Sequence, residues 1–550
     1  MINFRALFLL FFTLKSLFFY SQYNGLGFSY PLDREPIITG NYGEIRPNHF
    51  HAGLDFSTDP KANLPIKSIA DGYVSRIKIS SVGYGKVLYI THPNGYVSVY
   101  AHQKTFAPKI DSYIKQIQME QRKNEIEIFL TPNELPLKKS EVIGYTGNSG
   151  SSTGPHLHFE IREEKSEIPV NPLLVYDIAD HEKPELTNIA FYNTADTNNI
   201  TRFLTVPVKN INHKLSLPKY TQILSENTFA IAFAGFDRAD ATTNKNNIYE
   251  AKILLDDQLI YHHQLNHISF DNGRYVNVFS EKDDGIKYQK CFTPSCYDIA
   301  IYKTLVKGGK IVLNDTLPHK VNIYINDEKG NKNVLTFFVK TKKLNGYYDN
   351  AAKCNVFCNK DFNLKDDNFN LFIPQGSLVN SVYLHKRVYM KAPIGGDVEL
   401  GDVNIKVIKP FKMGLKVKNL LNNKESKLVM TVNGDVIGGK YEDGWLYADA
   451  KSFGSFNYKY DTIAPIITFP SPKKKTSTNL VPKASIHFKI TDNLSGIADY
   501  NVLVNDVWQI AEYDAKSNTV SCYFTESNPK KIRIEVTDKV GNKTILDKEL

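Results

Sequence analysis

Between residues 27 and 176 apolar side chains recur at every second position in short runs broken by Gly-rich turns, a pattern that predicts short strands. One stretch departs from it. Ile110, Tyr113, Ile114 and Ile117 share a face at helical spacing, so 108–123 predicts a helix inserted among the strands. After Asp177 the text changes: Asp180-His181-Glu182-Lys183-Pro184 reads as a linker, and strand patterns continue to the C-terminus. An internal echo appears there. Val321-Asn322-Ile323-Tyr324-Ile325-Asn326-Asp327 leads into Gly330-Asn331-Lys332, and Ile532-Arg533-Ile534-Glu535-Val536-Thr537-Asp538 leads into Gly541-Asn542-Lys543. Each is preceded by a strand ending in Asp, Phe233 to Asp237 and Phe488 to Asp492. Two period-two strands running into the same turn predict two copies of a β-sandwich module, immunoglobulin-like, over 184–342 and 462–550. Residues 343–461 are β-rich but match neither copy.

The first residues stand apart from this patterning. Met1 to Arg5 is a short basic start, and Ala6 to Tyr20 is mostly Leu and Phe, the shape of a secretory signal peptide over 1–21. Lys15 and the shortness of the run disfavour a membrane anchor, and no later stretch is apolar enough to span a bilayer once the signal is cleaved. A chain of 550 residues exceeds one core and predicts roughly three or four domains. With 42% hydrophobic and 23% charged residues it is globular rather than disordered.

The net charge of +9 suits an anionic polymer such as a cell wall, and equally suits a plain solvated surface. Lys473-Lys474-Lys475 lies between prolines and reads as a linker, so nothing points to nucleic acid. Five cysteines in an exported chain predict local disulfides, Cys291 with Cys296 and Cys354 with Cys358, leaving Cys522 over. A four-cysteine zinc site is disfavoured because the two pairs fall in different domains.

Three separated pieces of the first domain hold residues that a metal hydrolase needs. In His51-Ala52-Gly53-Leu54-Asp55, residues four apart on a straight strand would lie ~13 Å apart, so sharing a metal requires a bend that Gly53 permits. In His156-Leu157-His158-Phe159-Glu160-Ile161, Leu157, Phe159 and Ile161 alternate with the polar residues of a half-buried strand. His156 and His158 then project from one face, ~6–7 Å apart. In Tyr96-Val97-Ser98-Val99-Tyr100-Ala101-His102, Val97, Val99 and Ala101 are expected on the core side, with Ser98, Tyr100 and His102 opposite.

With Gly144-Tyr145-Thr146-Gly147 and Ser152-Thr153-Gly154-Pro155-His156-Leu157-His158-Phe159-Glu160, these pieces resemble the lysostaphin or LytM-type zinc metalloendopeptidases of family M23. The resemblance covers about 27–176, within a domain drawn over 22–180. It implies a mainly β fold, an antiparallel β-sheet groove with a helical insert, followed here by β-sandwich modules. It assigns one zinc ion to His51, Asp55 and His158, with the fourth position left to water as a catalytic zinc requires. It makes His102 and His156 the catalytic pair that moves the proton and holds the developing oxyanion, without saying which is the base. It gives His49, His92 and Glu160 no ligand role. The connection from His102 to Gly144 is longer than the family pattern, and its helix either borders the cleft or packs as an ornament on the sheet.

The resulting expectation is an exported zinc metalloendopeptidase of the periplasm or cell surface, hydrolysing peptidoglycan cross-links or stem peptides. The sandwich modules would contact wall or protein partners. The alternatives are a catalytically silent regulator of other wall hydrolases, against which the complete ligand set argues, and an exported peptidase acting on non-wall peptides.

Overall fold

The computed structural model describes residues 26–550, except 59–62, 197–199, 241, 295–296, 298, 343–353, 390–396, 419, 471–483, 525–528 and 550. The run read as an export signal lies outside the described residues, as does Cys296. The fold is mainly β. The first part is built on an antiparallel sheet in the order Ile38–Gly40, Leu54–Ser57, His156–Glu163, Tyr96–Ala101, Lys86–Thr91, Gly72–Ile79 and Ile126–Phe129. A smaller sheet of Pro65–Lys67, Val142–Tyr145 and Thr105–Phe106 packs against it. Leu54, Ile66, Tyr100, Ile143, Leu157 and Phe159 are buried between them in one apolar cluster.

The helix forms at Pro108–Gln121, with proline in the first turn where a missing N–H costs nothing. Ile110 and Ile114 are buried in that same cluster, and Tyr113 and Ile117 pack at its margin. The residues expected on one face are therefore the ones that meet the sheet. Asn124, just beyond the helix, meets the C-terminal part of the chain: its side chain donates to the Tyr500 carbonyl at 2.7 Å and accepts from the Ala511 amide at 2.8 Å.

Residues 185–341 form two sheets facing each other across a shared core. Phe191, Phe229 and Phe233 from one face Ile323, Leu335 and Phe337 from the other. Residues 466–549 repeat the plan on a smaller scale, with Phe488 and Ile490 packed against Val502, Ile534 and Val536. Between them, 354–461 is a third pair of five-stranded sheets around Phe369, Phe411, Met413 and Phe456.

The first three units share an apolar seam. Tyr42, Ile45 and Phe50 pack with Leu265, Val276 and Phe279 and with Val379 and Ile408. This seam fixes the segment that immediately precedes His51.

The disulfide expectation is corrected. Cys291 and Cys354 carry free thiols, so neither local pair forms, whereas Cys358 is disulfide-bonded. Cys291 points into the first sandwich core, where it is fully packed among apolar residues. Cys522 is also free and buried, as its leftover status predicted.

Candidate active site

Register brings the separated motifs together. His158 pairs with Asp55 on one side and with Ala101 on the other, so the central strand carries the second histidine between the two flanking pieces. Gly53 sits in the bend before Leu54–Ser57, as the spacing required. Its demand for glycine has a different origin from the one expected. A Cβ there would lie 2.1 Å from the Phe159 carbonyl oxygen, so close approach of two backbones, not a left-handed φ, excludes a side chain.

The faces of Tyr96–Ala101 are the reverse of those expected. Tyr100 pairs with Phe159 and Ser98 with Ile161, both core residues, while Val97, Val99 and Ala101 pair with Arg162, Glu160 and His158. Directly opposed residues share a face, so the valines lie on the histidine side. The core accepts Tyr100 because its hydroxyl is satisfied there: it accepts from the Ile69 amide at 3.1 Å and from Ser98 Oγ at 2.9 Å. His102 reaches the valine side because its backbone turns at φ 58°, in the left-handed region, and breaks the alternation.

The central strand is also buried on both faces, not one. His158 is covered by the Tyr84 ring stacked at 5.1 Å, and Glu160 is fully buried.

His51, Asp55 and His158 place one ligand atom each within 4.8 Å of one another, a group that could hold a metal ion. Asp55 Oδ1 lies 3.0 Å from His51 Nε2 and 2.9 Å from His158 Nδ1. The two ring nitrogens are 2.9 Å apart. The other nitrogen of each ring is already committed. His51 Nδ1 donates to the Asn41 carbonyl at 2.8 Å, and His158 Nε2 donates to Glu160 Oε1 at 2.8 Å. Carbonyl and carboxylate oxygens only accept, so both protons sit on the outer nitrogens. Two lone pairs and a carboxylate oxygen therefore converge on one point, an arrangement that repels itself unless a cation occupies the centre. The donor set of two imidazoles and one carboxylate fits zinc.

The charges agree with that geometry. Burial opposes ionisation of Asp55, yet His51, His156 and His158 hold its carboxyl well below the usual range. Burial lowers His51. Burial also works against the charged form of His158, but its bonds to Asp55 and Glu160 prevail and push it up to about 9. Without a metal ion His158 thus carries a second proton on Nδ1, and a cation held at the centre would displace it and leave the lone pair.

Several supporting residues have no ligand or catalytic role in the family pattern. Glu160 is held down to about 2 against its own burial by Arg162 and His158. Arg162 Nε donates to Glu160 Oε2 at 2.7 Å, and the Tyr84 hydroxyl donates to Glu160 Oε1. Arg46 Nη2 bonds Asp55 Oδ2 at 2.5 Å and leaves Oδ1 to the histidines. The alternation His-x-Glu-x-Arg on one strand face is the sequence signal by which Glu160 and Arg162 were discoverable; Asn41 and Arg46 had none.

His102 and His156 stand beside this group with ring centroids 4.8 Å apart. His102 Nδ1 donates to the Ser149 carbonyl and His156 Nδ1 to the Gly154 carbonyl, each at 2.9 Å. Both Nε2 atoms are left for chemistry. His156 Nε2 is 3.4 Å from Asp55 Oδ1 and is buried without a hydrogen-bond partner. Burial, with His158 and His156 nearby, lowers His102 to about 3, so its ring is neutral.

His92 is a satisfied core histidine between the Asp71 carbonyl and Ser98, and His49 is exposed. Neither joins the group of His51, Asp55 and His158. The C-terminal sandwich touches the rim of the site: Lys516 Nζ donates to the Asn148 and Ser152 carbonyls, and Lys86 pairs with Glu512 at 2.7 Å.

Parts of the chain are similar to known proteins. Residues 49–119 match the model of peptidase family M23, and 354–461 match a Zu5-like domain. The DD-carboxypeptidase/endopeptidase Mpg of Neisseria meningitidis serogroup B is 33% identical over 125 residues, 23% of this chain and 22% of that protein. An uncharacterized metalloprotease of Haemophilus influenzae is 31% identical over 161 residues, 28% of each. The chain thus spans about a quarter of the curated relatives it matches.

Among solved structures, the catalytic domain of lysostaphin from Staphylococcus simulans is 21% identical, with TM-score 0.19, covering 25% of this chain and 90% of that one. A catalytic-domain mutant of the prophage-encoded M23 protein EnpA from Enterococcus faecalis is 24% identical, with TM-score 0.20, covering 26% and 95%. The chain contains a peptidase family M23 domain in its amino-terminal part.

Proposed function

We propose that this chain is an exported zinc metalloendopeptidase that hydrolyses peptide bonds in peptidoglycan. The observation that carries the reading is the convergence of His51 Nε2, His158 Nδ1 and Asp55 Oδ1, with two further imidazoles alongside. His51, Asp55 and His158 would hold zinc, which supplies a Lewis acid that polarises the scissile carbonyl. His102, neutral and with Nε2 unprotonated, takes the proton of the attacking water. His156, whose Nε2 lies 3.4 Å from Asp55 Oδ1, stabilises the oxyanion and hands a proton to the leaving amine.

The peptidoglycan target is supported by the relationship to Mpg, and export by the basic-then-apolar start of the chain. No helix among the described residues is long and apolar enough to cross a membrane. The sandwiches at 184–342 and 462–550 are read as immunoglobulin-like modules that hold the peptidase domain against its polymer or a partner. The test is mass analysis of fragments released from purified sacculi by the zinc-loaded mature protein. Cleaved cross-links or stem peptides are expected, with no release by His158→Ala. Intact sacculi after treatment with zinc-loaded protein would overturn the reading.

A further inference from the structure

The echoed Asp and Gly-Asn turns of the two sandwiches find no use in peptide hydrolysis, yet each closes a cluster of three carboxylates, two buried and one half-buried. In the first, Asp180, Asp237 and Asp327 bring one oxygen apiece within 4.8 Å of one another; in the second, Asp461, Asp492 and Asp538 do the same. The clusters are built alike. Asp180 and Asp461 lie in the segments that enter the sandwiches. Asp237 and Asp492 follow the strands Thr228–Phe236 and Ala484–Thr491. Asp327 follows His319–Asn326, and Asp538 ends Lys531–Asp538.

The asparagine contacts repeat to the atom. Asn331 Nδ2 donates to the Asp180 carbonyl at 2.9 Å and to Asp327 Oδ2 at 2.6 Å. Asn542 Nδ2 donates to the Asp461 carbonyl at 3.0 Å and to Asp538 Oδ2 at 2.7 Å. A carboxylate cluster alone is no site. Here Asp237, only 5% exposed, keeps Oδ1 buried without a hydrogen-bond partner, and it lines a cavity of about 20 Å³ together with Asp180 and Glu328. Asp492 is half-buried, with Oδ1 enclosed and unpartnered, while its Oδ2 accepts from the Leu494 and Gly496 amides.

Lys329, which lines the same cavity, pairs with Asp177 at 2.9 Å, and Arg238 pairs with Glu185 at 3.2 Å. Buried carboxylates without counter-charge are costly unless protonated or bound to a cation.

We propose that each sandwich carries a calcium site at the end that receives the preceding domain, formed by Asp180, Asp237 and Asp327 in the first and by Asp461, Asp492 and Asp538 in the second. The donor set is all oxygen, without the nitrogen or sulfur that zinc or copper prefers. Its donors are carboxylates held by their own backbone bonds in irregular positions, which calcium tolerates and magnesium, demanding a near-ideal octahedron, does not.

Burial and the neighbouring carboxylates push Asp237 up to about 9, and burial raises Glu328 to about 7, as expected of a pocket that attracts positive charge. The residue after the third aspartate is Glu328 in the first site and Lys539 in the second, so the first binds more tightly. Because Asp180 and Asp461 belong to the connecting segments, a bound ion ties each connection to the base of its sandwich. The first site also touches the peptidase domain, since Asn41, whose carbonyl orients His51, lines the same cavity. None of this depends on the peptidase reading.

The test is calcium titration of the full chain, freed of divalent ions and supplied with one equivalent of zinc. It is followed by calorimetry and by the thermal midpoint. Two calcium ions per chain are expected, with dissociation constants of about 10⁻⁴–10⁻³ M or tighter, as in extracellular calcium modules. The unfolding midpoint should rise with calcium. Asp237→Asn should remove the tighter ion and Asp492→Asn the weaker. Each variant keeps wild-type circular dichroism and the other site's binding, so loss of one ion is separable from misfolding. Absence of binding at 10 mM calcium, magnesium binding as tight as calcium, or unchanged stoichiometry in the double variant would each overturn the proposal.

Discussion

His51 and His158 owe their usefulness to what their outer nitrogens hold. A backbone carbonyl fixes one ring and a buried carboxylate fixes the other, so each imidazole offers its inner lone pair in one orientation. Glu160 is the more exacting of the two partners, because it is charged, fully buried, and itself held by Arg162 and Tyr84. Glu160→Gln keeps the size but loses the charge and turns donors towards donors. We expect zinc affinity to fall about 10–100-fold, measured by competition with a chromophoric chelator, with the wild-type fold retained. Equal affinity would show that Glu160 merely fills space. Gly53 marks a different constraint. Gly53→Ala would drive a methyl into the Phe159 carbonyl and pry apart the strands that carry Asp55 and His158. The thermal midpoint of the peptidase domain should drop by several degrees, and zinc should no longer protect it; an unaltered midpoint would refute the close-approach argument.

Strands present Asp55, His156 and His158, while His51 and His102 lie just outside strand ends. In the first sandwich His263 is also buried, on the strand Gln258–Gln264, with Nδ1 bonded to the Tyr261 hydroxyl at 2.9 Å, Nε2 without a hydrogen-bond partner and the ring edge-on to Phe279. Burial and the neighbouring His262 lower its pKa to about 3. The unfolded chain takes up this proton below about 6.5, whereas the folded chain does not until about 3. The folded state therefore loses stability as pH falls through that window, by up to about 1.4 kcal/mol per pH unit for one proton. His263→Phe should flatten this part of the dependence. Urea unfolding midpoints of the first sandwich at pH 7.5 and 5.5 check it: the midpoint should fall less in the variant, and an equal fall would exclude His263 as the cause.

At the scale of the whole molecule the peptidase domain is held from two sides. The apolar seam of Tyr42, Ile45 and Phe50 fastens it to the first sandwich, and Asn124 with Lys86 fastens it to the C-terminal one. The second contact is polar and small, and Asn124 supplies two of its buried hydrogen bonds. Asn124→Ala leaves the Tyr500 carbonyl and the Ala511 amide without their partner. The C-terminal sandwich should then separate, seen as a larger radius of gyration in small-angle scattering, while zinc content stays that of the wild type. An unchanged radius would show that other contacts suffice.

The chain's own text, read with its family resemblance, was enough for the mainly β class, the inserted helix, the gathering of His51, Asp55 and His158 and the nearness of His102 and His156. Each of these is written in local periodicity or in motifs whose residue types the chemistry demands. The repeated Asp and Gly-Asn turns were visible as well, but only as the ends of strands. What tertiary structure alone decided was everything set by pairing and burial. Register placed Tyr100 in the core and the valines on the histidine side, because a satisfied hydroxyl can be buried as readily as a methyl group. The free thiols of Cys291 and Cys354 follow from where their strands and turns point, which short spacing in sequence does not specify. Asn41, Arg46 and Asn124 act across long separations, so their roles exist only once distant segments meet. The three aspartates of each sandwich, up to 147 residues apart in the first, became one cluster for the same reason: charge density is a property of space, not of sequence.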